Sequence, residues 1–327
     1  MNIYNFDTSA SLPTRTAVTV GMFDGVHLGH RHLLQLLLET ARATGLKPVV
    51  VTFDRHPRQV LGLDVAQFRL LSTLEERLQL LRDEGVDDVV LVPFTREMAA
   101  VSACNFARQY LLTKLDMKAL VLGYDNMFGS KQNDDFALLP RLAAENDVII
   151  RTDTSVRWQG KEVSSTRIRR TLADGDTRAA AAMLGRCYAV TGVVTHGRSV
   201  GRRLGFPTAN VLPSDADKAL PADGVYGVVV QCDGRCYAAM ANVGSQPTFG
   251  LVAPVLEVHL VDADVALYGQ TLRVVFVERL RDIRRFDSVE ALVAQLDADR
   301  CHVRQQAEAY LSEASSVPLY QPNISGK

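Results

Sequence analysis

Gly21-Met22-Phe23-Asp24-Gly25-Val26-His27-Leu28-Gly29-His30, GMFDGVHLGH, joins a β-rich apolar run to a helical one. Before it, Thr16 to Val20 reads as a short strand. After it, Leu33, Leu34, Leu37, Leu38 and Ala41 recur at helical spacing until Gly45 supplies a stop signal. A strand that feeds directly into a helix is the unit of an open α/β sheet, and the junction lies at the carboxyl edge, where ligands collect. The helix start offers unpaired N–H groups and a positive dipole end to an anion. Two histidines three apart in a first turn face the same way, and Gly21, Gly25 and Gly29 let the backbone approach a ligand with no Cβ in the way. Phosphate handling is the chemistry this supports, with His27 and His30 stabilising charge that develops as pyrophosphate leaves. Phe23 and Asp24, inside the same loop, are read with the binding set.

The same residues admit two rival readings. Histidines opening a helix serve as surface or capping groups, and for a lone His-x-x-His that would suffice. Zinc, with His32 added, lacks nearby cysteines and a third ligand at a recognised spacing. The chain also has no GxxxxGK[ST] loop, so a nucleotide here is not held in the Walker manner.

Outward from this segment, composition sets the frame. A length of 327 residues predicts two domains, and a net charge of −1 with 47% hydrophobic residues suits an enzyme rather than a polyanion binder. Five cysteines form no framework; Cys232 and Cys236, around the turn signal Asp233-Gly234, read as cross-strand neighbours rather than metal ligands. With no signal peptide and no bilayer-length apolar stretch, a cytoplasmic setting is expected, with neither membrane nor nucleic acid as partner.

Up to about Leu184, strands alternate with helices. Leu46 to Phe53, Val86 to Pro93, Lys118 to Gly123 and Asp147 to Arg151 read as strands. Ser72-Thr73-Leu74-Glu75-Glu76 offers a capping box in either of two registers for a helix through Leu81. This order predicts a parallel, doubly wound sheet over residues 1–184.

From Gly185 the pattern changes to short β-rich runs: Tyr188 to Val194, Gly224 to Cys232, Cys236 to Val243, Val255 to Val261 and Thr271 to Arg279. These predict a small antiparallel β-barrel over residues 185–313. Asp287 with Glu290 is expected to cap a terminal helix striped by Leu292, Leu296, Val303, Ala307 and Tyr310, and residues 314–327 read as a disordered tail.

Two further segments bear on the first site. Gly123-Tyr124-Asp125-Asn126-Met127-Phe128-Gly129, with glycine at both ends, suggests a sharp loop beside the cleft, or simply a tight connection. In Val163-Ser164-Ser165-Thr166-Arg167-Ile168-Arg169-Arg170, hydroxyls at a helix start cap it and donate to phosphate, and a guanidinium one turn later binds two oxygens at once. An RNA-binding patch would need interleaved aromatics, which are missing here.

HxGH after GxFDGxH resembles the nucleotidylyltransferase superfamily. Together, GMFDGVHLGH, GYDNMFG and VSSTRIR resemble the FMN adenylyltransferase module of the prokaryotic bifunctional riboflavin kinase/FAD synthetase family. The second half resembles that family's riboflavin kinase module. The matching segments are GVVTHGRSVGRRLGFPTAN from Gly192, PADGVYGV from Pro221, NVGSQPTF from Asn242 and LEVHLVDADVALYGQTLRVVF from Leu256.

The resemblance implies that riboflavin and ATP give FMN in the barrel, and that FMN and ATP give FAD and pyrophosphate in the first domain, with Mg²⁺ at work. It implies that His27 and His30 bind the ATP triphosphate and that Ser164, Ser165, Thr166 and Arg169 complete the phosphate site. Asp125 and Asn126 would lie near flavin or nucleotide. For the kinase it implies Thr208 and Asn210 as Mg²⁺ ligands and Glu257 as general base. Gly197, Gly201 and Gly205 with Arg198, Arg202 and Arg203 make a basic, flexible loop suited to covering phosphates, and Gly197, Arg198, Gly205 and Pro207 are read as nucleotide-binding. Strand alternation independently sets Glu257 and His259 on the face opposite Leu256, Val258 and Leu260, out of the core. Arg55, Asn126, residues 130–134 and Ile283 depart from the family's usual residues. A single-activity kinase with a decayed adenylyl domain, or a flavin-binding regulator, are the alternatives.

Overall fold

The computed structural model describes residues 1–6, 12–62, 68–124, 128–129, 135–195, 204–245, 254–263 and 265–315. Contacts divide the chain into two compact units, Met1–Ser164 and Ser165–Lys327.

The first unit is built on six parallel strands: β1 (Asn2–Asn5), β2 (Thr16–Val20), β3 (Lys47–Phe53), β4 (Asp88–Val92), β5 (Met117–Leu122) and β6 (Ile149–Thr152). Their order is β1-β4-β3-β2-β5-β6. All five residues of β2 are buried, because helices cover both faces of the sheet. Val18, Val20, Val51 and Leu120 pack into one core with Phe106 and Leu111; Ala17, Val50 and Val121 pack into another with Leu33, Leu34 and Leu37. The expected doubly wound sheet is therefore present. Its chain order reverses at β2, which lies between β3 and β5, so the topological switch point falls at the carboxyl ends of β2 and β5.

Helix α1 (Leu28–Thr44) follows β2 and ends where expected, with Gly45 at φ 65° donating its N–H to the Ala41 carbonyl. Helix α2 (Leu74–Asp83) resolves the two possible capping registers. Thr73 is the N-cap and Glu76 its reciprocal partner. The edge strand β1 is not announced in the sequence, since no periodic apolar run marks it. Helix α3 (Leu139–Glu145) precedes β6, and a two-residue-turn hairpin, β7 (Arg157–Trp158) with β8 (Lys161–Glu162), follows it.

The second unit opens with α4 (Ser165–Ala173) and α5 (Thr177–Leu184) and continues into β9 (Tyr188–Thr195), β10 (Ala209–Pro213), β11 (Gly224–Cys232), β12 (Arg235–Ser245), β13 (Pro254–Leu260) and β14 (Thr271–Arg281). These six strands close into a barrel, β10-β13-β12-β11-β14-β9, with antiparallel neighbours throughout. Closure leaves no open edge. The C-terminal helices α6 (Val289–Gln305) and α7 (Ala307–Ala314) cover one outer side, where Val303, Tyr310 and Ala314 meet Val229, Val275 and Val277.

Three expectations need correction. The terminal helix is capped by Ser288, whose side chain accepts from the Ala291 N–H, and not by Asp287; the serine sits one residue nearer the first turn, with Glu290 inside it. The 232–236 hairpin forms, with Asp233 and Gly234 both at positive φ, but register pairs Cys232 with Arg235 and Cys236 with Gln231. The two cysteines thus point to opposite faces. Strand β10 was not expected, because Pro-Thr-Ala-Asn reads as a turn; Ala209 and Asn210 instead begin the strand. The tail expected over residues 314–327 lies, from residue 316 on, outside the described residues.

Candidate active sites

At the end of β2 the chain makes a tight, buried loop before α1. Gly21 donates its N–H to the Val51 carbonyl at 3.0 Å, anchoring the loop on β3. Phe23, Gly25 and Val26 take positive φ values of 51°, 81° and 37°. Two of these are bulky residues, so the backbone is strained here in the manner of functional loops. His27 is the N-cap of α1, and its Nδ1 accepts from the His30 N–H at 3.3 Å. With Nδ1 an acceptor, the neutral imidazole carries its proton on Nε2, which is thereby a donor. The His27 and His30 rings stack at 3.7 Å between centroids, 13° from parallel, and Phe23 packs on His30 at 5.2 Å. A Cβ on Gly29 would stand 3.2 Å from the His27 ring, so glycine there lets the imidazole lie over the helix start. No acidic residue occupies the first turn of α1. The two histidine rings therefore meet over the start of α1, facing the same way as expected.

Asp24 is 2% exposed and accepts from the N–H groups of Leu71 at 3.1 Å and Ser72 at 2.9 Å. It braces one loop against another. Arg77, buried on α2, donates to the carbonyls of Met22 and Phe53. Ser72, which fits a capping box, and Arg77, inside a helical pattern, carry no local signal of a place beside this loop.

Across the switch point, Gly129 has φ 90° and an added Cβ would lie 2.4 Å from the backbone nitrogen of Ala103. This loop end tolerates glycine alone. Asp125 and Asn126 lie outside the described residues. Beyond the ends of β5 and β6 lies a cleft of about 330 Å³ lined by Leu122, Gly123, Tyr124, Phe136, Pro140 and Thr152 among others. It is mainly apolar and large enough for a planar ring. On α4, Ser165 opens the helix directly after Ser164, Thr166 is exposed, and Ser164, Ser165, Arg167 and Arg169 are half-buried while Ile168 faces inward.

In the barrel, register brings together residues far apart in sequence. Asn210 on β10 stands directly opposite Glu257 on β13, and Glu257 also stands opposite Asn242 on β12. The three side chains therefore share one face, with the carboxylate in the middle. Leu256, Val258 and Leu260 fill the opposite face, as alternation predicted. That face is not solvent, however. Glu257 is half-buried and burial pushes its carboxyl above the usual range, while His259 is 8% exposed and burial pushes its imidazole down.

The neutral His259 ring donates from Nδ1 to the Pro207 carbonyl at 2.8 Å and packs edge-on against Phe206. It thus pins Pro207-Thr208-Ala209-Asn210 beside Glu257. Gly205, at φ 83°, supplies the turn before it. Thr208 and Asn210 offer a hydroxyl and a carboxamide oxygen, hard donors that fit Mg²⁺. Among the described residues no group of three or more His, Cys, Asp and Glu could hold a metal. A cation here would take its remaining ligands from phosphate and water, as Mg²⁺ does. Gly197 and Arg198 lie outside the described residues. Asn242 and His259 were missed as site residues, since only strand register reveals their neighbours.

Comparison with known proteins agrees with the two-site architecture. A family model described as FAD synthetase matches residues 9–167, and one described as riboflavin kinase matches residues 184–307. The chain is 38% identical over 289 residues to the bifunctional riboflavin kinase/FMN adenylyltransferase of Escherichia coli K12, covering 88% of this chain and 91% of that one. It is 31% identical over 301 residues to the protein of the same description from Bacillus subtilis 168, covering 91% and 93%. Among solved structures it resembles one described as a macrolide-efflux protein from Streptococcus pneumoniae, with a TM-score of 0.84, 33% identity, and coverage of 92% of this chain and 98% of that one. No helix among the described residues of this chain is long and apolar enough to cross a membrane.

Proposed function

The chain belongs to the bifunctional riboflavin kinase/FMN adenylyltransferase family, which converts riboflavin to FMN and FMN to FAD, and on that premise we propose which residues carry each step. Functionally, the adenylyltransferase domain runs to Leu184 and the kinase from Gly185.

In the kinase, Glu257 is the general base. It takes the proton from the terminal ribityl hydroxyl as that oxygen attacks the γ-phosphorus of ATP; the new O–P bond forms as the bond to the β-phosphate oxygen breaks, leaving FMN and ADP. A base needs a carboxyl whose proton affinity is raised, and burial raises that of Glu257. Thr208 and Asn210 would hold Mg²⁺, which when bound neutralises charge on the transferring phosphates. Gly197, Arg198, Gly205 and Pro207 as a cover over the nucleotide rest on their sequence motif.

In the adenylyltransferase, an FMN phosphate oxygen attacks the α-phosphorus of ATP and pyrophosphate leaves. No side chain need act as nucleophile. Nε2–H of His27, the His30 ring and the α1 N-terminus receive the triphosphate, and the apolar cleft beside Tyr124 takes the adenine ring. Gly21, Phe23, Asp24 and Gly29 shape that loop. Ser164, Ser165, Thr166 and Arg169 as further phosphate ligands, and Asp125 and Asn126 as flavin or nucleotide contacts, rest on their sequence motifs.

The observation that supports this assignment is the direct cross-strand pairing of Asn210 with Glu257, a carboxamide oxygen next to a half-buried carboxylate. The test is separation of activities. His27→Ala should abolish FAD formation from FMN and spare riboflavin phosphorylation, and Glu257→Gln should do the reverse. Loss of both products in either variant contradicts two independent sites.

A further inference from the structure

The loop that presents His27 is anchored on β3 through Gly21 and Met22, and its positive-φ turn is tied to a second neighbouring segment, Leu70 to Arg77. Three successive attachments run to the loop's own backbone and to its acid. Arg77 Nη1 donates to the Met22 carbonyl at 3.1 Å. Leu71 and Ser72 donate their N–H groups to the two oxygens of Asp24 at 3.1 and 2.9 Å. The Ser72 hydroxyl donates to Asp24 at 3.2 Å and accepts the Gly25 N–H at 2.9 Å. The attachments thus reach residues 22, 24 and 25, immediately around the positive-φ positions Phe23, Gly25 and Val26.

The segment is itself anchored. The reciprocal Thr73–Glu76 box fixes the start of α2, with Glu76 Oε2 accepting from the Thr73 N–H at 3.1 Å and Thr73 Oγ1 from the Glu76 N–H at 3.2 Å. The second arm of Arg77 donates to the carbonyl of Phe53, at the end of β3, so one guanidinium spans the ends of two adjacent strands. Arg77 is 3% exposed, and burial brings it down to about 10 against the opposing pull of Asp24 and Asp54; it stays charged at neutral pH.

Five hydrogen bonds from this segment converge on one short, strained loop, and although the buried Arg77 Nε has no partner, both terminal nitrogens of its guanidinium are fixed on strand-end carbonyls. We propose that Leu70–Arg77 is a brace that holds the His27 loop in its phosphate-binding shape, with Ser72 and Arg77 as positioning residues for adenylyl transfer. This rests on the reading of His27 and His30 as ATP-binding groups.

The full chain provides its own control, because riboflavin phosphorylation is measured in the same preparation. Ser72→Ala and Arg77→Lys are compared with His27→Ala for FAD formation from FMN and ATP. Both brace variants should raise KM for ATP in that step by about tenfold with a smaller change in kcat, and leave riboflavin phosphorylation within about twofold. In Arg77→Ala, added guanidinium at low millimolar concentration should restore part of the lost activity, an effect that general destabilisation would not show. If His27→Ala abolishes FAD formation and neither Ser72→Ala nor Arg77→Lys raises KM for ATP, the brace is overturned and the histidine reading stands. If His27→Ala also leaves FAD formation unchanged, both fall. Parallel loss of the two activities in Ser72→Ala would mark a folding defect and overturn the positioning role.

Discussion

Asn210 of β10 and Glu257 of β13 are direct cross-strand partners in a closed barrel, and Asn242 of β12 flanks the same carboxylate from the other side. Forty-six residues separate the first two in sequence (257 − 210 − 1 intervening positions). Antiparallel register alone brings their side chains onto one face, about 5 Å apart at Cβ. The carboxylate is partly withdrawn from water there, which strengthens it as a base.

The acid limb of riboflavin phosphorylation should report this. Only ionised Glu257 accepts a proton, so kcat/KM falls as pH drops through its pKa, and burial sets that midpoint above the ordinary 4.5. Glu257→Gln should remove the limb and cost about 10²-fold or more in kcat. A limb centred at or below 4.5 would contradict the assignment.

His259 is expected to act through Pro207. In His259→Phe the ring contact with Phe206 is retained and the hydrogen bond to the Pro207 carbonyl is lost. The barrel should lose about 1 kcal/mol, the net worth of one such bond. KM for ATP in the kinase step should rise while FAD formation from supplied FMN stays unchanged, which steady-state assays of the two steps will show.

At Gly29, stability and activity should move in opposite directions. Alanine is the better helix former by up to about 1 kcal/mol, yet its Cβ would sit 3.2 Å from the His27 ring and displace it. Gly29→Ala should unfold no earlier than the parent in urea and bind ATP more weakly for adenylyl transfer. Unaltered kinetics would remove His27 from the phosphate site.

Gly129→Ala should be a severe change. A Cβ at φ 90° would lie 2.4 Å from Ala103 N and 2.6 Å from its Cα, and backbone cannot yield as a side chain does. A loss of about 3 kcal/mol or more is expected, at the upper end for single substitutions. Denaturant unfolding of the variant measures it.

Glu278 ties α5, β14, α6 and α7 together through Arg178, His302 and Tyr310. Burial pushes its carboxyl up, but the three hydrogen bonds outweigh it and hold the group down at about 2. The folded value lies below the ordinary 4.5, so its stabilisation is fully present above pH 4.5 and is lost as pH falls toward 2. Thermal melts from pH 7 to 3 should show Glu278→Gln closing the gap to the parent as pH drops. A constant gap would contradict the linkage.

Much of this was legible in the chain. Helical spacing from Leu33 to Ala41 and the stop at Gly45 gave α1 its correct end, and the run of β2 gave the junction that seats His27. Alternation in Leu256 to Leu260 placed Glu257 on the right face. Elsewhere, local signals ran out. β10 begins in residues that favour turns, and it is a strand because β9 and β13 supply ladder partners on both sides. The spacing of Cys232 and Cys236 around a turn suggests neighbours, whereas the two-residue turn fixes a register that parts them.

The two kinds of architecture, the strand-to-helix junction before α1 and the family could be read from consecutive residues, because periodicity, glycine placement and motif order are local properties. That Asn210 and Asn242 flank Glu257, that His259 pins Pro207, and that Arg77 reaches Met22 and Phe53 came from the fold alone. Those relationships depend on strand register and helix docking, which many weak contacts fix jointly and no short segment encodes alone.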